Sequence, residues 1–185
     1  MRKAMIKILG EKDIKVSRWS GGVTKQLYIY PEDSDYALRN FKIRLSIATT
    51  ELEKSIFTKL EGVDRVISIL EGKMEICHKD HHQKTLLPYD IDHFKGDWDT
   101  SSKGKVTDFN LMLKGCKGDF FFKEIKQEEK IIFENEKILS FIYCISGELK
   151  IENELLKAGE LAVTDKNNIS VNSNDSKVFY GYINI

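Results

Sequence analysis

The sequence predicts an all-β protein built as a two-lobed β-sandwich with few short helices. Three observations carry this. Short runs alternate apolar and polar residues, as in VTKQLYIY, KMEICHK, VTDFNLMLK and KVFYGYINI, the pattern of half-buried strands. Turn formers interrupt them at short spacing: Ser20-Gly21-Gly22, Glu71-Gly72, Gly96-Asp97, Lys103-Gly104, Ser146-Gly147, Ala158-Gly159 and Asn172-Ser173-Asn174-Asp175. Helical periodicity is weak, and the best candidates are short turns within 31–40 and 50–60.

In chain order, the first distinctive stretch is Arg18-Trp19-Ser20-Gly21-Gly22-Val23-Thr24. Two glycines before a polar strand suit either an anion held by backbone N–H groups or a plain hairpin turn capped by Trp19. It is not a P-loop, because no GK[ST] follows. The central stretch runs from Phe41 to Gly72. Phe41, Ile43, Leu45 and Ile47 alternate with Lys42, Arg44, Ser46 and Ala48, so Arg44 and Ser46 share a strand face. Asp64, Val66 and Ser68 share a face opposite Arg65, Ile67 and Ile69. Further on, Asp108 and Asn110 share a face, with Phe109 and Leu111 opposite.

An Arg fork with an amide and hydroxyls suits a small carboxylate or amide ligand. The same residues also fit a structural network in which Asp64 or Asp108 neutralises Arg44 or Arg65. The terminal run from Val178 to Ile185 reads as a core strand, with an exposed edge strand as the alternative.

There is an internal echo. Ile69-Leu70-Glu71-Gly72-Lys73-Met74-Glu75-Ile76 is matched by Cys144-Ile145-Ser146-Gly147-Glu148-Leu149-Lys150-Ile151. Each is followed by a Leu-Leu pair, a turn and another strand. Strand, glycine turn and strand repeated in each half predict two related lobes, roughly 1–114 and 115–185, within one domain.

Composition narrows the function. The 185 residues carry 29 Lys plus Arg and 29 Asp plus Glu, which leaves no basic footprint for nucleic acid. No apolar run approaches the roughly 18–20 residues of a membrane span, and the N-terminus is too charged for a signal-peptide core. The chain therefore reads as cytoplasmic, with no membrane partner. Its three cysteines are widely spaced without a CxxC, as in reduced proteins.

The motifs together resemble the HutD/Ves family of cupin-like bacterial proteins. The residues that carry the resemblance are Arg18 to Gln26, the FKIRLSIAT strand at 41–49, Phe57 with Gly62-Val63-Asp64-Arg65 through Leu70-Glu71-Gly72, and Asp108-Phe109-Asn110-Leu111-Met112. The chain departs from the family in having Val23 after Gly22, where a further glycine is usual, and Ile43 where many members carry Trp. The resemblance implies an RmlC-like jelly roll in two lobes, a bicupin. Some members are associated with histidine utilisation, and no secure enzymatic activity is attached to the family.

It favours a ligand-binding set of Trp19, Gly21, Gly22, Thr24, Arg44, Ser46, Asp64, Arg65, Asp108 and Asn110. The expected partner is a small anionic metabolite, a carboxylate or formamido compound. A homodimer is expected by analogy with other cupin-like folds. The alternative is an isomerase or hydrolase with His93, Asp97 or Asp108 as general base.

Cupin metal sites use a His-x-His pair with a downstream Glu and a later His. This chain has only His78, His81, His82 and His93, with no such pair. They read as exposed loop histidines, so no metal and no cofactor is expected.

Overall fold

The computed structural model describes residues 6–133 and 138–185. Its strands, in order, are β1 (Ile6–Leu9), β2 (Lys15–Trp19), β3 (Gly22–Tyr30), β4 (Ile43–Thr50), β5 (Lys54–Ile56), β6 (Val63–Gly72), β7 (Met74–His78), β8 (His82–Leu86), β9 (Ile91–Lys95), β10 (Thr100–Lys103) and β11 (Val106–Lys114). They continue with β12 (Lys117–Ile125), β13 (Glu129–Ile132), β14 (Ile138–Ser146), β15 (Glu148–Ile151), β16 (Glu154–Lys157), β17 (Leu161–Thr164), β18 (Asn168–Asn172) and β19 (Ser176–Asn184). The ladders between these strands are all antiparallel.

The chain divides into two units. Ile14–Cys116 forms a roll of two sheets, ordered β2-β3-β4-β11-β6-β9 and β5-β10-β7-β8. Lys117–Ile185, with the chain up to Asp13, forms the other, ordered β1-β17-β14-β19-β12 and β13-β18-β15-β16. Strand for strand, β4 to β11 of the first repeat as β12 to β19 of the second. The echo marks the same turn in each: Gly72 ends β6 with φ 93° and Gly147 follows β14 with φ 77°, conformations that glycine reaches without steric cost.

The N-terminal strand departs from the expected lobe boundary. β1 pairs with β17, Ile6 opposite Thr164 and Leu9 opposite Leu161, and so joins the second roll. The C-terminal run forms an interior strand, β19, between β12 and β14.

The expected short helices are not formed. Among the described residues the only helical turn is a 3-10 turn at Glu11–Asp13, and no helix is long and apolar enough to cross a membrane. Within 31–40, Asp35 Oδ1 takes the Ala37 amide at 2.7 Å and Asn40 Oδ1 takes the Asp35 amide at 2.8 Å. Such local bonds offer the backbone an alternative to a helix. The stretch 50–60 carries the edge strand β5 instead.

Each roll has its own interior. In the first, Ile67 and Ile69 of β6 pack with Met74, Ile76, Leu86 and Phe94. In the second, Ile142 and Cys144 of β14 pack with Leu149, Ile151, Leu156 and Val178.

Candidate functional site

The 14–116 roll encloses a cavity of about 500 Å³. Strand alternation decides its walls. Arg44, Ser46, Ala48 and Thr50 enter from β4, Asp108, Asn110 and Met112 from β11, and Arg65 from β6. The three strands are hydrogen-bonded neighbours, with Asn110 opposite both Ser46 and Ile67. Polar groups far apart in the chain therefore face one space. The mouth takes Ser17, Trp19, Ser20, Thr24 and Ser55.

Arg44 and Arg65 are both buried. Arg44 Nε donates to Gln26 Oε1 at 2.9 Å and Nη1 lies 3.4 Å from Ser46 Oγ. Its guanidinium sits over the Tyr36 ring, 4.1 Å from the centroid. Arg65 Nη2 donates to Asn110 Oδ1 at 2.9 Å, and Asn110 Nδ2 donates in turn to Asp108 Oδ1. The amide thus relays between cation and carboxyl. Arg65 also lies against Phe57 and Phe94, at 5.1 and 4.9 Å from their centroids, a favourable placement for a cation.

Arg65 Nε and Ser55 Oγ are buried without a hydrogen-bond partner. Each such orphan costs roughly 1–3 kcal/mol, which an anionic acceptor in the cavity would recover.

Burial controls the charges. It lowers Arg65 to about 10, with Asp108 opposing and Arg44 adding to the fall. It lowers Arg44 as well. It raises Asp108 to about 7, against the pull of Arg65 and the Asn110 hydrogen bond. The cavity therefore holds two guanidinium groups and a carboxyl that exchanges its proton near neutrality. Such a donor set suits an anion. It does not suit the metal that cupin folds often hold.

Of the residues expected at a site, Trp19, Thr24, Arg44, Ser46, Arg65, Asp108 and Asn110 line the cavity. Trp19 is a rim residue, 43% exposed, rather than a cap on the core. Three do not line it. Asp64 points to the opposite strand face from Arg65 and pairs with Lys95, because neighbouring residues of a strand cannot share a face.

Gly21 and Gly22 serve packing. A Cβ on Gly21 would lie 1.9 Å from the Trp19 ring, and one on Gly22 would lie 1.8 Å from the Thr49 carbonyl oxygen. Sequence reading missed Gln26, Tyr36 and Phe57 as wall or support residues. Gln26 was accessible to it, sharing the alternation of Thr24, whereas Tyr36 sits in a turn region with no period.

The histidines also depart from expectation. His81 and His93 are exposed, but His78 is buried and His82 half-buried, and both converge on the buried carboxylate of Asp92. The sequence carried a sign of this. His78 continues the inward set Met74, Ile76, and Asp92 shares a face with Phe94.

A family model described as HutD matches residues 11–179. The solved structure of HutD from Pseudomonas fluorescens SBW25, in a formate condition, is 24% identical with a TM-score of 0.78, covering 97% of this chain and 98% of that one. A conserved protein of unknown function, PA5104 from Pseudomonas aeruginosa PAO1, is 18% identical with a TM-score of 0.82, covering 98% and 100%. A bacterial pirin, YhhW from Escherichia coli in complex with nickel(II), is 10% identical with a TM-score of 0.69, covering 96% and 98%. No curated protein sequence matches the chain. At these identities the structural likenesses establish a cupin-like bicupin fold.

Proposed function

Given that the chain belongs to the HutD family, whose model spans residues 11–179, we propose that its 14–116 roll binds a small anionic metabolite without a metal in the cavity. The ligand class is a carboxylate or formamido compound, and the role is regulatory, in histidine utilisation. Arg44 pairs with the anion, Arg65 Nε supplies a second donor, and Ser46, Thr24 and Asn110 meet the remaining polar atoms. The observation that supports this most strongly is the buried Arg65 Nε, left without an acceptor on the wall of a cavity with a second guanidinium.

Calorimetry tests it. Formate, named in the condition of the P. fluorescens structure, is the simplest probe, followed by histidine-pathway carboxylates and formamido acids. Wild type is expected to bind at least one. Arg44→Ala is expected to weaken that binding about 10- to 100-fold, the worth of a charged hydrogen bond. Absence of binding by wild type to all of them would overturn the proposal.

One observation favours a second reading, an isomerase or hydrolase. Asp108, pushed up to about 7, has the proton affinity of a general acid–base at neutral pH and shares the cavity with Arg44. Turnover of a bound carboxylate by wild type, lost in Asp108→Asn while binding persists, would select this reading. Binding with no turnover in either would select the first.

A further inference from the structure

His78 closes β7 and His82 opens β8, and the register sets them directly opposite across the hairpin. Their rings lie 4.5 Å apart. Asp92 comes from β9, in the other sheet of the same roll, and meets both. Its Oδ2 is 2.9 Å from His78 Nε2, and its Oδ1 is 3.0 Å from His82 Nε2. One ligating atom from each residue lies within 4.8 Å of the other two. We propose that His78 Nε2, His82 Nε2 and an Asp92 oxygen hold one divalent transition-metal ion of the zinc, cobalt or nickel class, at a site distinct from the Arg44–Arg65 cavity. This departs from the sequence expectation of no metal and does not depend on the ligand reading above.

Four features argue for it. The donor set is two imidazole nitrogens and one carboxylate, the set that borderline ions prefer over hard ones. The outer bond of the inner imidazole is in place: His78 Nδ1 lies 2.7 Å from Thr100 Oγ1. A ligating histidine is oriented by such a bond on its other nitrogen. That bond aims Nε2 at Asp92 Oδ2, 2.9 Å away, where a cation can take the place of the proton the two atoms share.

Asp92 already collects positive charge, since the Lys84 ammonium sits 2.6 Å from Oδ1 on a side chain 47% exposed. That ammonium is a tethered stand-in which an entering ion would displace towards solvent. Finally, aromatic rings wall the cluster. Phe94 lies 4.5 Å and Trp98 5.6 Å from His78, and Trp98 stacks on His81 at 3.7 Å. The second roll places Ala162 opposite Ile142 where this roll places Asp92 opposite Ile67, so the roll architecture itself does not require the carboxylate.

The test uses untagged full-length protein, stripped with chelator and titrated with Zn²⁺ by calorimetry. Co²⁺ is followed by its visible absorption, and Ni²⁺ by quenching of Trp98 in a Trp19→Phe background. One equivalent is expected to bind. His82→Ala, at a half-exposed position that leaves the roll folded, is expected to weaken binding at least 10-fold, and Asp92→Asn at least as much. Lys84→Met removes the competitor and is expected to tighten binding several-fold. Arg44→Ala is expected to leave it unchanged, which separates this site from the anion cavity. No saturable binding by wild type would overturn the proposal. So would binding that His82→Ala and Asp92→Asn leave intact in folded protein.

Discussion

In the 14–116 roll, the inward positions of β6 and β11 carry Arg65, Asp108 and Asn110. At the same register positions of β14 and β19, the other roll carries Ser140, Val178 and Tyr180. There the inward positions are uncharged. Val178 belongs to the apolar cluster, and Phe133 packs against Tyr180 and Tyr182 with centroids 6.2 and 6.1 Å apart. One strand plan thus supports uncharged inward positions in one half and a charged cavity wall in the other. The hairpins and their apolar partners carry the fold, and a few inward positions decide whether it holds a site. Filling gains roughly 25 cal/mol per Å² of buried apolar surface. The 14–116 roll forgoes that gain at these positions and carries buried charge, a pattern expected where function opposes stability.

The comparison predicts its own exchanges. The largest effect belongs to Val178→Asp, which places the carboxyl of Asp108 in the apolar cluster of the second roll without Arg65 or Asn110. An uncompensated buried charge costs roughly 3–5 kcal/mol, so thermal denaturation should show a severe loss or no folded protein. A small effect would break the contrast between the two interiors.

The next concerns pH. Folded Asp108 titrates at about 7, against an ordinary 3.8, so folding tightens its hold on the proton. Its contribution to stability is fully present below about 4 and is lost as the pH rises through about 7. At about 1.4 kcal/mol per unit, that amounts to roughly 4–5 kcal/mol. Asp108→Asn should flatten this slope in denaturant titrations at a series of pH values.

A smaller change follows from filling the hollow. Arg65→Met, Asp108→Val and Asn110→Leu together replace a buried polar network with apolar side chains, which is often neutral or stabilising by about 1–4 kcal/mol. The expected outcome in urea melts is unchanged or raised stability with anion binding abolished.

Much of the fold was legible because strand alternation and glycine turns are local. The echo around Gly72 and Gly147 revealed the repeat for the same reason. The partnership of β1 with β17 was not legible, since pairing across nearly the whole chain leaves no local trace.

The site was half legible. Alternation put Arg44 with Ser46 and Asp108 with Asn110. It could not choose between Asp64 and Arg65, because both faces of β6 carry apolar residues, as in a strand buried on two sides. Tyr36 reaches Arg44 from an irregular stretch, and only the folded chain shows it. The histidines misled because adjacent His81 and His82 look like a loop, whereas the apolar period of β7 runs inward as far as His78.

The most direct test of the central claim is the side-chain Nε–H resonance of Arg65 in ¹⁵N-labelled protein during titration with a small carboxylate. Arg44 Nε is already bonded to Gln26, while Arg65 Nε is buried without an acceptor. The account predicts a saturable downfield shift of the Arg65 signal, with the same midpoint as the calorimetric binding. An Arg65 signal that stays still while the carboxylate binds would contradict it, and so would the absence of any response to carboxylates.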